Sequence, residues 1–141
     1  MKGVANSILI TLIVAFIVVT FTNSIAFFPW YLSLIYETFN LSIRAANDNF
    51  ITAEVENEIM SNLRSKPIFK DTGIPISISG AKTYQKRGKP FSVGITSEFP
   101  FNISITGGSS GQVALIDKRI NIGFNLKTTG INYDKEEEDK P

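Results

Sequence analysis

GVANSILITLIVAFIVVTFTNSIAFFPWYLSLIY, residues 3–36, decides the fold of this chain, because it contains no Asp, Glu, Lys, Arg or His. A helix over these 34 residues would be about 51 Å long at roughly 1.5 Å per residue. The hydrocarbon core of a bilayer is only about 30 Å thick, and helix tilt absorbs just part of such an excess. The run is therefore either divided into two pieces or covered by protein in its upper part.

The beginning of the run has the features of a secretory signal peptide. Lys2 provides the positive start, and Ser24, Ile25 and Ala26 form a small-x-small cleavage pattern. The apolar residues nevertheless continue past Ala26 to Ile35, whereas the apolar region of a signal peptide is usually about 7–15 residues long. We therefore expect the segment to be retained, as a helix whose backbone groups all bond within the segment.

Pro29 is the one helix breaker within the run. It lacks an N–H and its ring clashes with the carbonyl of Ile25, so we expect a kink or local unwinding there. Trp30 and Tyr31 follow it, and aromatic residues at this point suit either a membrane–water interface or packing between helices of an assembly. Asn23 lies either at a membrane boundary or in a contact with another helix.

The composition bounds the function of the chain. Its 141 residues are enough for one membrane or assembly helix and one small folded domain. The net charge is +1 and the Lys and Arg residues are scattered, so we expect no nucleic-acid partner. Cys and His are absent, which removes the thiolate nucleophile, the commonest general base and the commonest metal ligand. We therefore expect neither an enzyme nor a cofactor, and interpret Glu54, Glu56 and Glu58 as a solvated helix face.

A helical pattern continues beyond the apolar run, over residues 37–66. Apolar residues recur there at helical spacing, at Phe39, Ile43, Ala46, Phe50, Ile51, Val55, Ile59 and Leu63. Neither Gly nor Pro interrupts the chain between Pro29 and Pro67. We therefore predict one helix from Val4 to Ser65, about 90 Å long. A single helix of that length needs partners along most of its surface.

After a connector at residues 67–75, the apolar pattern changes to a period of two, which is typical of β-strands. We predict about four antiparallel strands, near residues 74–84, 91–105, 113–115 and 120–126. The second of them is one long strand if Pro100 only bends it. The predicted turns fall at residues 86–89, at the GGSSG sequence of residues 107–111 and at Asp117-Lys118.

The predicted fold class is α+β. A long N-terminal hydrophobic helix, kinked near Pro29, runs into an amphipathic helix that packs on a small antiparallel β-sheet of about four strands. The predicted divisions are a transmembrane or filament-core helix at 1–36, the amphipathic helix at 37–66, the β-domain at 67–130 and an acidic, solvated tail at 131–141.

Two short sequences match the acceptor pattern for N-glycosylation, Asn40-Leu41-Ser42 and Asn102-Ile103-Ser104. Asn40 lies in the predicted helix, so Asn102 is the better candidate for glycosylation.

Three dipeptides add to this architecture: Lys2-Gly3 before the apolar helix, Ala45-Ala46 within the helix, and Arg87-Gly88 in the hairpin turn. Together with the long uncharged helix and the compact β-domain, they resemble type IV pilin-like proteins and are most similar to the Tad-type pseudopilins. The chain departs from that family where Ala5, Asn6 and Ser7 stand in place of a Glu early in the apolar helix.

The resemblance implies a structural subunit of an extracellular pilus-like filament, which would serve adhesion, motility or surface contact. Its partners would be other copies of itself, the inner membrane before assembly, and the pilus assembly machinery. The implied location is the cell surface, with a membrane-inserted precursor. The helices would bundle in the filament core through Ile8, Leu12, Ala15, Phe16, Val19, Asn23, Phe27, Phe28, Trp30 and Leu34.

Glu37 is the first acidic residue after the apolar run. We therefore expect Lys2 or the terminal amine of one subunit to approach Glu37 of another. Two other functions remain open: a membrane-anchored accessory protein of a secretion or conjugation apparatus, and a bitopic membrane protein whose β-domain binds a ligand.

Overall fold

The computed structural model describes residues 2–70, 73–106 and 112–132 of the chain. It confirms the predicted α+β class, with a long N-terminal helix, a second helix and a small antiparallel sheet. The elements in chain order are helix α1 (Lys2–Asp48), helix α2 (Ala53–Ser65), a single 3-10 turn (Pro67–Phe69), and strands β1 (Ile76–Gly80), β2 (Pro90–Thr106) and β3 (Gln112–Thr129).

Helix α1 contains the whole apolar run and continues through Pro29 without ending there. The hydroxyl groups of its lower half are bonded within the helix: Thr11 donates to the carbonyl of Ser7 at 2.9 Å, and Thr20 to that of Phe16 at 2.8 Å. The side-chain amide of Asn23 donates to the carbonyl four residues before it at 2.9 Å. These bonds give the hydroxyls of Thr11 and Thr20 and the side-chain amide of Asn23 a partner within the helix itself.

The predicted continuous helix from Val4 to Ser65 is wrong, because α1 ends at Asp48 and α2 starts at Ala53. Asn49 has a φ of 61°, the left-handed conformation that ends many helices and that Asn tolerates better than most residues. Thr52 then caps α2 by accepting a hydrogen bond from the amide of Val55 at 3.2 Å.

Helix α2 folds back along α1 instead of extending it. Arg44 of α1 forms a bidentate ion pair with Glu58 of α2, and Glu37, two turns lower on α1, bonds to Lys66 just after α2. The two helices are therefore antiparallel, and α2 packs against the upper part of α1 in the same chain.

The sheet has three strands in the order β1-β2-β3, all antiparallel, one fewer than predicted. The predicted turn at Asp117-Lys118 is wrong, because both residues lie inside β3 and pair with Asn102 and Phe101 of β2. An irregularity in the pairing lies beside Ile103. The 18-residue β3 is therefore one strand where two were predicted. The predicted turn at residues 107–111 and most of the predicted tail, from residue 133 onwards, lie outside the described residues.

The hydrophobic core lies between one face of the sheet and the two helices. Alternate residues of β2 point into it, as expected for a half-buried strand: Phe91, Val93, Ile95 and Phe99. Helix α2 contributes Val55, Ile59 and Leu63, which confirms that part of the predicted stripe. Helix α1 contributes Trp30, Leu34, Leu41 and Ala45.

Candidate membrane and assembly surface

The apolar run divides into a lower part without cover and an upper part covered by the chain's own domain. In residues 3–26, every side chain is exposed except Val19 and Asn23, which are half-buried. These 24 residues span about 36 Å, which matches one bilayer of about 30 Å at a moderate tilt. Among the described residues, the stretch Gly3–Asp48 is long and apolar enough to cross a membrane, with a mean hydropathy of 2.5 in its most apolar window.

An aromatic cluster marks the point where α1 enters the folded domain. The ring of Phe27 packs edge-on against Phe99 of β2, with centroids 5.2 Å apart. Trp30 contacts the same Phe99 at 5.4 Å and stacks on Phe69 at 5.9 Å. Since these rings come from the helix, the sheet and the 3-10 turn, they fix the direction in which the helix leaves the domain.

Two residues of the predicted subunit-packing set are buried within the single chain. Trp30 and Leu34 have no exposed surface, because they pack within their own domain. Phe27 is half-buried against the same domain. The remaining residues of the set lie between residues 8 and 28, where Ile8, Leu12, Ala15, Phe16 and Phe28 are exposed and Val19 and Asn23 are half-buried.

Glu37 is bonded within its own chain. Its carboxylate accepts a hydrogen bond from the Lys66 ammonium at 3.0 Å, and its side chain is only 3% exposed. The Lys66 ammonium also lies 5.6 Å from the ring centre of Tyr36. Glu37 is thus bonded and almost fully buried within its own chain, and the expected contact with Lys2 of another subunit stays a prediction. The side chain of Lys2 lies outside the described part of the chain.

Two buried polar side-chain atoms of α1 lack hydrogen-bond partners among the described residues. They are Oε2 of Glu37 and Nε1 of Trp30, both fully buried. Trp30 and Glu37 are seven positions apart, two helical turns, and so lie on the same face of α1. The buried face of the upper helix is therefore partly polar, which is one reason why its apolar pattern was hard to recognise in the sequence.

The opposite face of the upper helix is apolar, and none of the described residues covers it. Between Trp30 and Asp48 the exposed side chains are Leu32, Tyr36, Phe39, Ile43 and Asn47. We call the first four the outer stripe. The prediction placed Phe39 and Ile43 against the sheet, and this is wrong: their side chains are 51% and 62% exposed. Sequence reasoning missed the outer stripe because the same helix also carries the buried series of Trp30, Leu34, Leu41 and Ala45.

Helix α2 shows what an ordinary water-facing surface of this domain looks like. Its exposed residues are small or polar: Ala53, Glu54, Asn57, Ser61 and Ser65. Two of the three glutamates form ion pairs, Glu58 with Arg44 and Glu56 with Lys82. Among the described residues, no group of three His, Cys, Asp or Glu could hold a metal ion.

The candidate glycosylation residue Asn102 lies in β2, and its side chain lies outside the described part of the chain. Asn40, the second match to the acceptor pattern, is half-buried in α1.

No protein-family model, curated protein or solved structure matches this chain. The function is therefore inferred from the surfaces of the chain itself.

Proposed function

We propose that this chain is a membrane-anchored structural subunit of an extracellular pilus-like filament. One observation carries the proposal: an uncharged, uncovered helical segment of membrane length continues, as the same helix, into a folded α+β domain. The uncovered segment would lie in lipid before assembly and among copies of itself afterwards.

The charge distribution supports this use of the helix. The apolar run has no charge of its own, and the first acidic residue after it, Glu37, is paired with Lys66. Helices of identical subunits can therefore approach one another along the run without repulsion between like charges.

The outer face of the sheet supports a position of the β-domain on the outside of such an assembly. Most of its exposed residues on β2 and β3 are polar or Gly: Ser92, Arg119, Asn121, Gly123, Asn125, Lys127 and Thr129. The exceptions are Pro90 and Pro100. This face suits contact with water, whereas α1 carries the large apolar surface. The sheet therefore suits the outside of a filament, and α1 suits its interior.

Electron microscopy of material sheared from the cell surface tests the proposal. We expect filaments that an antibody against the β-domain labels along their length, and the intact chain as a main component of the sheared fraction. A chain that stays entirely in the membrane fraction, with no labelled filaments, would contradict the filament role and support the membrane-anchored accessory protein. A detergent-solubilised monomer that binds a ligand through its β-domain would support the bitopic receptor.

A further inference from the structure

The outer stripe repeats every 11 residues along α1. Eleven positions below Leu32, Tyr36 and Phe39 lie Phe21, Ile25 and Phe28, and eleven below these lie Ile10, Val14 and Ile17. All of these side chains, and Ile43 above them, are more than half exposed. One face of the helix is therefore uniformly large and apolar from residue 10 to residue 43.

The upper part of this face carries the inference, because in the lower part almost every position is apolar. The four residues of the outer stripe lie on the same folded domain as α2, whose exposed residues are small or polar. A helix face that met only water would resemble that of α2. Contiguous exposed apolar surface of this kind marks a contact site.

Lipid cannot cover the whole face. From Ile10 to Ile43 there are 33 helical steps, which correspond to about 50 Å, whereas the apolar core of a bilayer is about 30 Å thick. The cover must therefore be a protein surface that is apolar both inside the membrane and above it.

We propose that this cover is helix α1 of a second copy, packed in parallel on the outer stripe while both copies are still in the membrane. The proposal rests on the membrane anchoring in the proposed function and adds a defined contact face and a stage before filament formation. A second copy supplies a helix with the same apolar length on both sides of the membrane boundary. When two copies are inserted in the same orientation, the same residues of the two α1 helices lie at the same depth in the membrane and face each other.

The repeat and the neighbouring charges both suit this pairing. An 11-residue repeat corresponds to about 3.67 residues per turn, close to the roughly 3.6 of a straight helix, so two such faces stay in contact with little supercoiling of right-handed sense. The charges beside the outer stripe are paired within each copy, Lys66 with Glu37 and Arg44 with Glu58. These two ion pairs therefore bring no unpaired charge to the contact between two copies.

Single-cysteine cross-linking in membranes tests the proposal, and the chain has no native Cys to interfere. The variants are Leu32→Cys, Tyr36→Cys, Phe39→Cys and Ile43→Cys in the full chain, with Asn57→Cys and Ser61→Cys on the exposed face of α2 as matched controls. A disulfide requires Cα atoms about 4.4–6.8 Å apart. After mild oxidation we expect a disulfide-linked dimer from one or more stripe positions and none from the α2 positions.

A second substitution shows that the stripe itself makes the contact. In the stripe variant that cross-links best, adding Arg at another stripe position, such as Phe39→Arg or Leu32→Arg, should abolish the dimer, whereas Ser61→Arg should leave it unchanged. Membrane extraction and the fluorescence of buried Trp30 confirm that each variant is inserted and folded.

The absence of dimers at all four stripe positions in an inserted, folded protein would overturn the proposal, and so would equal dimer yields from α2. Labelled filaments without stripe cross-links would leave the filament role intact and reject this inference. Cross-linked dimers in a protein that never forms filaments would support the inference and reject the filament role.

Discussion

Glu37 shows how burial changes the role of a single residue. As the first acid after the apolar run, it was expected to bind a neighbouring subunit, yet its carboxylate is buried against Lys66 of its own chain. The ion pair holds the end of α2 against α1. We therefore expect substitutions at Glu37 to affect assembly through the stability of the domain, because its side chain is only 3% exposed.

Removing Lys66 leaves this buried carboxylate without its charged partner. Breaking one side of a buried pair costs about 3–5 kcal/mol when both groups are fully buried, and Lys66 is 31% exposed, so we expect Lys66→Met to lower the unfolding free energy by about 2 kcal/mol. Thermal unfolding of the full chain in detergent, followed by the fluorescence of its single Trp, measures the change.

Lys82→Met is the matched control, because Lys82 pairs with Glu56 in a more exposed position. Exposed pairs contribute about 0–1 kcal/mol, so this variant should unfold almost as the parent does. Equal destabilisation by the two substitutions would show that burial of Glu37 is not what gives its pair its strength.

At the scale of the elements, the junction between α1 and α2 depends on Asn49. Its side chain forms two hydrogen bonds with the backbone of Asn132, at 2.9 and 3.1 Å. The backbone carbonyl of Asn49 accepts a third from the backbone amide of Gln85 at 3.0 Å. Gly130 passes so close that a Cβ there would lie 2.6 Å from the Asn49 side-chain oxygen. One residue thus joins the end of α1 to the end of β3.

Asn49→Ala should destabilise the domain by about 3 kcal/mol, since Ala resists the left-handed conformation by about 1–2 kcal/mol and two hydrogen bonds worth about 1 kcal/mol each are lost. Asn49→Gly keeps the conformation and loses only the side-chain bonds, so it should cost less. The same unfolding measurement applies, and a Gly variant less stable than the Ala variant would contradict the assigned backbone role.

The elements differ in how well they could be predicted from the sequence. The long apolar helix, the stripe of α2 and the period-two strands were predictable, because each is a local pattern. The helix break was predictable in principle from Asn49 and the capping residue Thr52, but the absence of Gly and Pro favoured a continuous helix. The turn expected at Asp117-Lys118 fails because pairing with β2 on both sides of it outweighs the local preference.

The choice between the two apolar faces of upper α1 was not predictable from local pattern. Both the buried series and the outer stripe have helical spacing, and polar Glu37 and Thr38 are buried alongside the buried series. Which face the sheet covers depends on distant contacts, such as that of Trp30 with Phe99. The long apolar helix of the candidate site was therefore predicted, whereas the side of its upper part that packs on the sheet was not.

At the scale of the whole molecule, the lower helix should act as the membrane anchor. Val14 lies at the centre of the uncovered segment, where a charged residue costs about 2.5–3.5 kcal/mol on insertion. We expect Val14→Arg to shift the chain from the membrane pellet to the soluble or degraded fraction, as measured by alkaline extraction and immunoblotting.

Ser61→Arg places the same charge on the water-facing side of α2 and should leave the chain in the membrane pellet. If Val14→Arg were retained in the membrane as well as Ser61→Arg, the segment at residues 3–26 would not be the part that inserts.

Because α1 is one helix from Lys2 to Asp48, the anchor and the domain share a single mechanical element. Tension applied to the β-domain passes into the lower helix along its axis, through the ring contacts of Phe27 and Trp30 with Phe99. Between residues 26 and 30 the described chain stays helical, although Pro29 removes one backbone hydrogen bond there. We therefore expect a pull on the β-domain to reach the lower helix with little extension of the chain.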